Sequence, residues 1–381
     1  MTILLAEILL RSPVTGATAT VRLADAILAP FPPDDPDRPN ACWDPSLTEP
    51  PNLALELYGD VAGGSMGSSY GEVTAENTDG RYTPWRGWSV VTITLRVGDA
   101  TGRVWADFLP LIQGGGGGKV TAAVSPMGVR VVTFPLSDPR DRLSDAVVED
   151  SYGGTTVGEA GYDGTEDQEG TLKSLALGDL RSGNVPATNV NAALQTFQPG
   201  LTLGSITAIR DRGAVTNHVF AGDLTGAAFD AARPVATEFV TDAARGLVRP
   251  GGSFGGTVSF DLIGDPAAGT TAPTLIKWLL ERRGFTSFGP GFTDVALAPA
   301  VVGLWTGTAT TSYRDLVDLL CRGFAGWCLP DALGVWQLAR LAAPVGDVAA
   351  AFYESDINDL HDGQRRYDVP PWKLGLKWGR Q

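Results

Sequence analysis

Two short segments have the Gly-x-Ser-x-Gly spacing that places a nucleophilic serine in many hydrolases. They are residues 63–67, centred on Ser65, and residues 251–255, centred on Ser253. A hydrolase of this kind needs a strand before the serine, a helix after it and a histidine that acts as base. Ser65 lies in a glycine- and serine-rich stretch, and Ser253 precedes a strand pattern. We therefore interpret both segments as turns, and the second as a hairpin turn.

The sequence contains two histidines, His218 and His361, and either could in principle serve such a serine. Neither lies in a recognisable catalytic setting. His218 is near a loop or a strand end, and His361 precedes an Asp-Gly pair. We interpret both as ordinary surface or packing residues.

A run of five glycines at residues 114–118, followed by Lys119, has some likeness to a phosphate-binding loop. That motif needs a glycine five residues before its last glycine and a Ser or Thr after the lysine. Here those positions are Gln113 and Val120, so the hydroxyl that would bind magnesium is missing. The motif fails, and the run predicts a flexible turn.

Two groups of side chains are of the types that bind metal ions. Asp163, Glu166, Asp167 and Glu169 form an acidic cluster, but their spacing does not fit a helix–loop–helix calcium site, so a solvated loop is favoured. Cys321 and Cys328 are too far apart in sequence for a common zinc motif and are interpreted as buried thiols. We predict no catalytic residue, no cofactor-binding residue and no metal ligand.

The composition describes a folded, acidic chain that is rich in turns. The 381 residues carry a formal net charge of −14, which disfavours a surface that coats nucleic acid or binds an anionic membrane. Glycine (48 residues) and proline (26) are abundant without a collagen-like period, which favours turn-rich β structure. No apolar run approaches the ~20 residues that span a bilayer, and the N-terminus lacks the features of a secretion signal. We expect a soluble protein made in the cytoplasm, without membrane insertion.

Apolar patterns predict strands over most of the chain and two helices late in it. Helical spacing predicts helices over residues 274–283 and 312–322, the second with a capping box from Ser312 to Asp315, before a β-hairpin over 327–338. A proline-rich stretch, 30–51, predicts an extended loop packed on a neighbour. Apolar and β-branched segments bounded by turn signals predict the main early strands, at 3–10, 18–23, 90–97, 104–112, 119–124 and 129–134. Alternation of apolar and polar residues predicts β structure at 53–57 and 70–76.

Several of these segments carry a family likeness. Gly71-Glu72-Val73, with Glu-Asn-Thr-Asp-Gly at 76–80 and then the strands at 90–98 and 104–109, resembles a segment of the tail-tip and hub proteins of long-tailed phages. Leu177 stands where that family commonly has a proline. Further segments that match the family pattern are 152–154, 169–170, 172–173, Gly178, 184–185, 205–213 and 246–264.

The closing third resembles the hub fold that is shared with baseplate hubs of contractile tails and with gene-transfer-agent hubs. The two helices and the hairpin follow the order of that fold, and residues 369–373 (Val-Pro-Pro-Trp-Lys) resemble a strand near its end. The resemblance implies a mainly β, multidomain protein with tail-tube-like β-barrel domains and a smaller α+β part. The implied domains are a β-rich tube-like domain (1–145), a second β-rich domain (146–265), an α+β hub-type domain (266–345) and a C-terminal strand segment (346–381).

The resemblance further implies a structural virion protein and not an enzyme. It would form a homotrimer at the tail tip, link the distal tail ring and tape measure to tip or fibre proteins, and make a gate or channel through which DNA passes without specific binding. The alternatives are a distal tail or receptor-binding adaptor, a cell-wall or glycan hydrolase and, as a weaker third, a carbohydrate-binding module. A hydrolase would need a carboxylate pair, or a nucleophile with a base.

Overall fold

The computed structural model describes residues 2–51, 53–56, 67–124 and 128–340. Within these ranges the protein is mainly β, as the sequence predicts, with three α-helices. No helix in the described ranges is both long and apolar enough to cross a membrane. The predicted C-terminal strand segment, Ser65 and His361 lie outside the described residues.

The strands of the first third are β1 (Thr2–Arg11), β2 (Thr18–Ala24), β3 (Leu47–Glu49), β4 (Leu53–Glu56), β5 (Gly67–Tyr70), β6 (Glu72–Glu76), β7 (Ser89–Asp99), β8 (Leu109–Gly115), β9 (Thr121–Val124) and β10 (Arg130–Pro135).

Eight of these strands form two four-stranded antiparallel sheets. Sheet 1 has the order β2-β1-β7-β8, and sheet 2 has the order β3-β6-β10-β9. Alternate side chains of β1, among them Ala6, Ile8 and Leu10, point into an apolar core to which Val73 and Phe134 of sheet 2 also contribute. The two sheets therefore pack face to face around one core.

The proline-rich loop covers the outer face of sheet 1. Phe31 and Trp43 from this loop share a second core with Ile3 and Leu5, which point out of the other face of β1. Arg38 completes the attachment, because its guanidinium lies 2.7 Å from the carboxylate of Glu7 on β1. The described loop therefore packs on its own chain, and its packing on a neighbour stays a prediction.

The predicted strand over residues 104–112 begins later than expected. Residues Trp105–Asp107 form a 3-10 turn, and β8 begins at Leu109. Long-range contacts hold this turn, because Arg96 donates hydrogen bonds to the carbonyl oxygens of Trp105 (2.9 Å) and Phe108 (2.7 Å). The Trp105 ring also stacks on Trp43 with the centroids 5.4 Å apart.

The middle of the chain forms two five-stranded sheets. Sheet 3 has the order β15-β14-β19-β11-β20 and sheet 4 the order β12-β13-β18-β17-β16, in which only the β16–β17 pair is parallel. Phe197, Phe239 and Phe260 meet in the core that these sheets share. The elements are β11 (Ala176–Pro186), β12 (Thr188–Asn191), β13 (Thr196–Gln198), β14 (Ser205–Asp211), β15 (Ala214–Val215), β16 (Val219–Asp223), α1 (Ala227–Ala231), β17 (Glu238–Asp242), β18 (Leu247–Pro250), β19 (Val258–Ile263) and β20 (Gly303–Trp305).

The late elements confirm the prediction of two helices and a hairpin. They are α2 (Ala272–Arg282), α3 (Tyr313–Gly323), β21 (Gly326–Pro330) and β22 (Trp336–Arg340). A capping box of Ser312 and Asp315 begins α3, as predicted. Five leucines of the two helices pack with Trp336 in one core, hereafter the helical core, whereas Leu319 of α3 is exposed.

None of the described sheets closes into a barrel, because each keeps two edge strands. Sheets 1 and 2 do approach closure on one side, where bridges join Gly116 to Leu136 and Ser89 to Lys119. The helical core takes side chains from both sides of the predicted domain boundaries, including Leu143, Leu177 and Leu275. The division into three domains before residue 346 stays a prediction, and all described residues fall in one compact unit, Met1–Leu341.

Candidate functional site at the serine turn

The segment around Ser253 connects two sheets. Strand β18 before it belongs to sheet 4, and β19 after it belongs to sheet 3, so the two strands do not pair. Ser253 is exposed on this connection. The turn interpretation of residues 251–255 is confirmed, but the segment is a crossover between sheets and not a hairpin.

The fold brings His218 to this same turn. Its ring stacks on Phe254 with the centroids 5.4 Å apart, and its Nε2 lies 2.9 Å from the carbonyl oxygen of Gly251. Its Nδ1 lies 2.8 Å from the hydroxyl of Thr216. Because both ring nitrogens are engaged in hydrogen bonds to other groups, His218 is not arranged to take a proton from Ser253. Sequence spacing gave no sign of this approach, since 33 residues separate His218 from Gly251.

The turn is held from its other side by Asp211 and Arg212. The carboxylate of Asp211 accepts a hydrogen bond of 2.8 Å from the backbone N–H of Gly255, and the Arg212 guanidinium donates to the Gly255 carbonyl oxygen. One residue earlier in β14 than Asp211, Arg210 forms an ion pair of 2.6 Å with the buried Asp261 of β19. This hydrogen-bonded pairing raises the pKa of Arg210. Asp211 and Arg212 therefore hold the turn at residues 251–255 against the end of β14.

The acidic cluster of residues 163–169 does not converge on one point. Asp163 accepts a hydrogen bond from the Gly153 N–H (3.0 Å) and pairs with Lys173 (3.0 Å). Glu166, Asp167 and Glu169 are exposed around a short 3-10 turn. In the described part of the chain, no three or more His, Cys, Asp or Glu side chains are grouped so as to hold a metal ion.

The glycine run at 114–118 is not the flexible turn that its composition predicts, because Gly114 and Gly115 belong to β8 and Gly116 forms a bridge to Leu136. At Gly116 and Gly117 the chain passes through a space too narrow for side chains. A Cβ atom on Gly116 would lie 1.9 Å from the Val90 carbonyl oxygen, and one on Gly117 would lie 1.8 Å from the Cβ of Ser137. Close backbone approach, and not phosphate binding, accounts for these glycines.

The two late cysteines are buried in the helical core, as predicted. Burial raises the pKa of the Cys321 thiol and that of the Cys328 thiol. A protonated, buried thiol is neither a nucleophile nor a metal ligand. Cys42, by contrast, is exposed.

Comparison with known proteins found no family model that matches this chain and no curated protein with significant similarity to it.

Proposed function

We propose that this protein is a structural subunit of a tailed-phage particle, a hub at the distal end of the tail. The observation that carries the proposal is the order of the modules along the chain. Two two-sheet modules are followed by α2, by a spacer that adds β20 to sheet 3, by α3 and by a β-hairpin. The family resemblance likewise implies a helix, a spacer, a second helix and a hairpin. The agreement supports the resemblance at the level of architecture.

The segments that carry the resemblance perform structural tasks in this fold. Asn77, buried after β6, accepts a hydrogen bond of 3.0 Å from the Tyr82 N–H and so shapes the turn that ends the first segment. Asp211 and Arg212 fasten the glycine-rich turn, as described above. At Gly178, a Cβ atom would lie 2.1 Å from the Val302 carbonyl oxygen. Because these residues specify turns and close packing, they favour a structural role over a chemical one.

The finer parts of the proposal concern assembly. The two-sheet modules would be open variants of tail-tube barrels, and three copies would surround the tail lumen. The hub would join the distal tail protein and the tape measure above to tip or fibre proteins below. The net charge of −14 supports a lumen that repels phosphate, so that DNA passes during ejection without specific binding. The protein would be assembled in the host cytoplasm and reside at the tail tip of the virion.

Cryo-electron microscopy of the intact particle tests the proposal directly. Three copies around the lumen at the tail end would support the hub. Six copies in a ring would instead favour the distal tail or adaptor alternative. Absence of this chain from the particle would refute both.

The hydrolase alternative can be tested separately. Purified protein and the Ser253→Ala variant would be assayed for release of soluble fragments from cell walls. We expect no release from either, because His218 is engaged with Gly251 and Thr216. Release that depends on Ser253 would contradict the structural role.

A further inference from the structure

His218 lies between two hydrogen-bond partners that differ in what they can do. Its Nε2 faces the carbonyl oxygen of the buried Gly251 at 2.9 Å, and a carbonyl oxygen can only accept a hydrogen bond. Nε2 therefore carries a proton whether the ring is neutral or charged. The Nδ1 atom lies 2.8 Å from the Thr216 hydroxyl, which can both donate and accept. Nδ1 is thus the atom at which the ring gains or loses a proton.

The Thr216 hydroxyl has two acceptors within reach for its single hydrogen. One is Nδ1 of His218, and the other is the carbonyl oxygen of the buried Ile209, at 3.0 Å. When the ring is neutral, the hydroxyl hydrogen points to Nδ1, and the Ile209 oxygen keeps its hydrogen bond of 2.8 Å from the Thr216 N–H. When the ring is charged, Nδ1–H donates to the hydroxyl oxygen and the hydroxyl hydrogen turns to Ile209. Both states therefore fit without the movement of a heavy atom.

The charged ring makes stronger contacts than the neutral one. It adds the hydrogen bond from the Thr216 hydroxyl to Ile209, and the two bonds that the ring donates then have a charged donor, which makes each of them roughly twice as strong. The Phe254 ring lies nearly parallel to that of His218, with the centroids 5.4 Å apart, and an aromatic face attracts a cation at this range. Partial burial of the ring acts against the charge, but His218 is only half-buried.

The charged side chains near His218 balance one another. They come from β14 and the loop after it, the start of β17, the end of β18 and the strand β19 that pairs with β14, and they are Arg210, Asp211, Arg212, Glu238, Arg249 and Asp261. Arg210 is paired with Asp261. Asp211 and Arg212 bind the backbone of Gly255. The Arg249 guanidinium donates to the carbonyl oxygen of Phe229. Because positive and negative charges are equal in number, the hydrogen bonds and the Phe254 ring decide how His218 responds to pH.

We propose that protonation of His218 at Nδ1 tightens its hold on residues 251–255, so that the crossover between sheets 4 and 3 responds to pH. The proton comes from solvent, and no bond between heavy atoms forms or breaks. The middle module is expected to gain stability as the ring becomes charged and to lose that gain as the pH rises and the ring becomes neutral. The proposal stands on these contacts alone and does not depend on a place in a phage tail.

Nuclear magnetic resonance of the ring nitrogens tests the hydrogen-bond arrangement directly. The sequence has only two histidines, so in a full chain that carries His361→Gln every ¹⁵N-labelled histidine ring belongs to His218. Correlations between the ring nitrogens and the carbon-bound ring hydrogens distinguish the two neutral tautomers from the cation. An unperturbed histidine titrates at about pH 6.5, so we expect the proton on Nε2 alone at about pH 8.0 and on both nitrogens at about pH 5.5.

Urea unfolding followed by circular dichroism measures the effect on stability. Other groups also titrate, so the His361→Gln chain is compared with the same chain carrying His218→Gln. Between about pH 8.0 and about pH 5.5, its equilibrium constant for unfolding should fall about five-fold relative to that of the His218→Gln chain, because a charged donor strengthens each hydrogen bond. Thr216→Ser keeps the hydroxyl and should keep this pH effect. Thr216→Val has the size of threonine without the hydroxyl and should lose it.

Three results would overturn the proposal. The first is a neutral ring with its proton on Nδ1, because Nε2 would then not donate to Gly251. The second is an equal pH effect with and without the His218 ring. The third is a pH effect that is the same in Thr216→Val and Thr216→Ser, because the hydroxyl would then have no part in it. The first result needs no variant at position 216 or 218, so it stands even where such a variant fails to fold.

Discussion

Replacing Arg249 with Met removes a buried guanidinium that joins four parts of the middle module. Arg249 on β18 is 1% exposed. It donates hydrogen bonds to the carbonyl oxygens of Phe229 and Ala232 (both 2.8 Å), at the end of α1. It also donates to the Thr196 hydroxyl on β13 (3.0 Å) and to the Tyr162 hydroxyl in the acidic loop (2.6 Å). The guanidinium carbon further lies 4.5 Å from the centroid of the Phe229 ring.

The expected loss of stability follows from the acceptors that Arg249→Met leaves behind. The two carbonyl oxygens each keep one other donor, the Ala232 N–H for Phe229 and the Arg233 guanidinium for Ala232. What is lost is a set of four buried hydrogen bonds from a charged donor, and each such bond contributes about 1.5–3 kcal/mol. Relief from burying the guanidinium offsets part of this cost. We therefore expect the free energy of unfolding to fall by about 3 kcal/mol. Arg249→Lys should recover little, because one ammonium cannot reach all four acceptors.

Urea unfolding followed by tryptophan fluorescence and circular dichroism measures this loss. The matched control is Arg181→Met, which removes an exposed arginine that pairs with Asp179 and should change stability by less than about 1 kcal/mol. Coincident transitions by the two probes would support the use of a single free energy. If Arg249→Met cost no more than Arg181→Met, the assignment of Arg249 as the link between these segments would be wrong.

Three further outcomes follow from the described contacts. Gly116→Ala should prevent normal folding, judged by soluble yield and melting temperature, because its Cβ would lie 1.9 Å from a carbonyl oxygen of β7; the control Gly115→Ala, where no atom lies within 4 Å of the Cβ position, should fold normally. Burial acts to raise the pKa of Asp35, but hydrogen bonds from three backbone N–H groups outweigh it and lower that pKa. The stability that this carboxylate contributes is therefore present above the unfolded pKa of about 3.9 and is lost as the pH falls through the lower folded pKa. Asp35→Asn should lower the free energy of unfolding at pH 7. In urea titrations it should also reduce the difference in that free energy between neutral and acidic pH. A thiol reagent should label Cys42 rapidly and the buried Cys328 only after unfolding; rapid labelling of a Cys42→Ser variant would contradict the described burial.

Features set by neighbours in sequence were the ones that could be predicted. The apolar spacing at Leu275, Ile276, Leu279 and Leu280 indicated α2, and all four of these side chains are buried as that spacing requires. The capping box at Ser312 was equally readable, because its hydrogen bonds span three residues. Strand β1 could be predicted because its apolar run is followed directly by the turn residues Ser12 and Pro13.

Features set by distant residues could not be predicted. The turn at Trp105 depends on Arg96 and on the backbone interaction with Asp35, whose carboxylate accepts from the Trp105 N–H at 2.8 Å across 70 residues. The glycine run is not a flexible turn because sheet strands close in around it, and its composition alone indicated the opposite. His218 reaches the serine turn through the pairing of β16 with β17, which no local pattern encodes.

The ion pair between Arg140 and Asp318 also bears on the timing of synthesis. Arg140 is fully buried, and its carboxylate partner follows 178 residues later in the chain. At the ~5–20 residues per second of ribosomal synthesis, that partner emerges about 10–35 s after Arg140 does. Leu143 and Val147, a few residues after Arg140, are buried only when α2 and α3 pack against them in the helical core. During this interval the synthesised part of the chain exposes Arg140 without its carboxylate partner and Leu143 and Val147 without their apolar contacts. The nascent chain is therefore most prone to misassociation before α3 has left the ribosome.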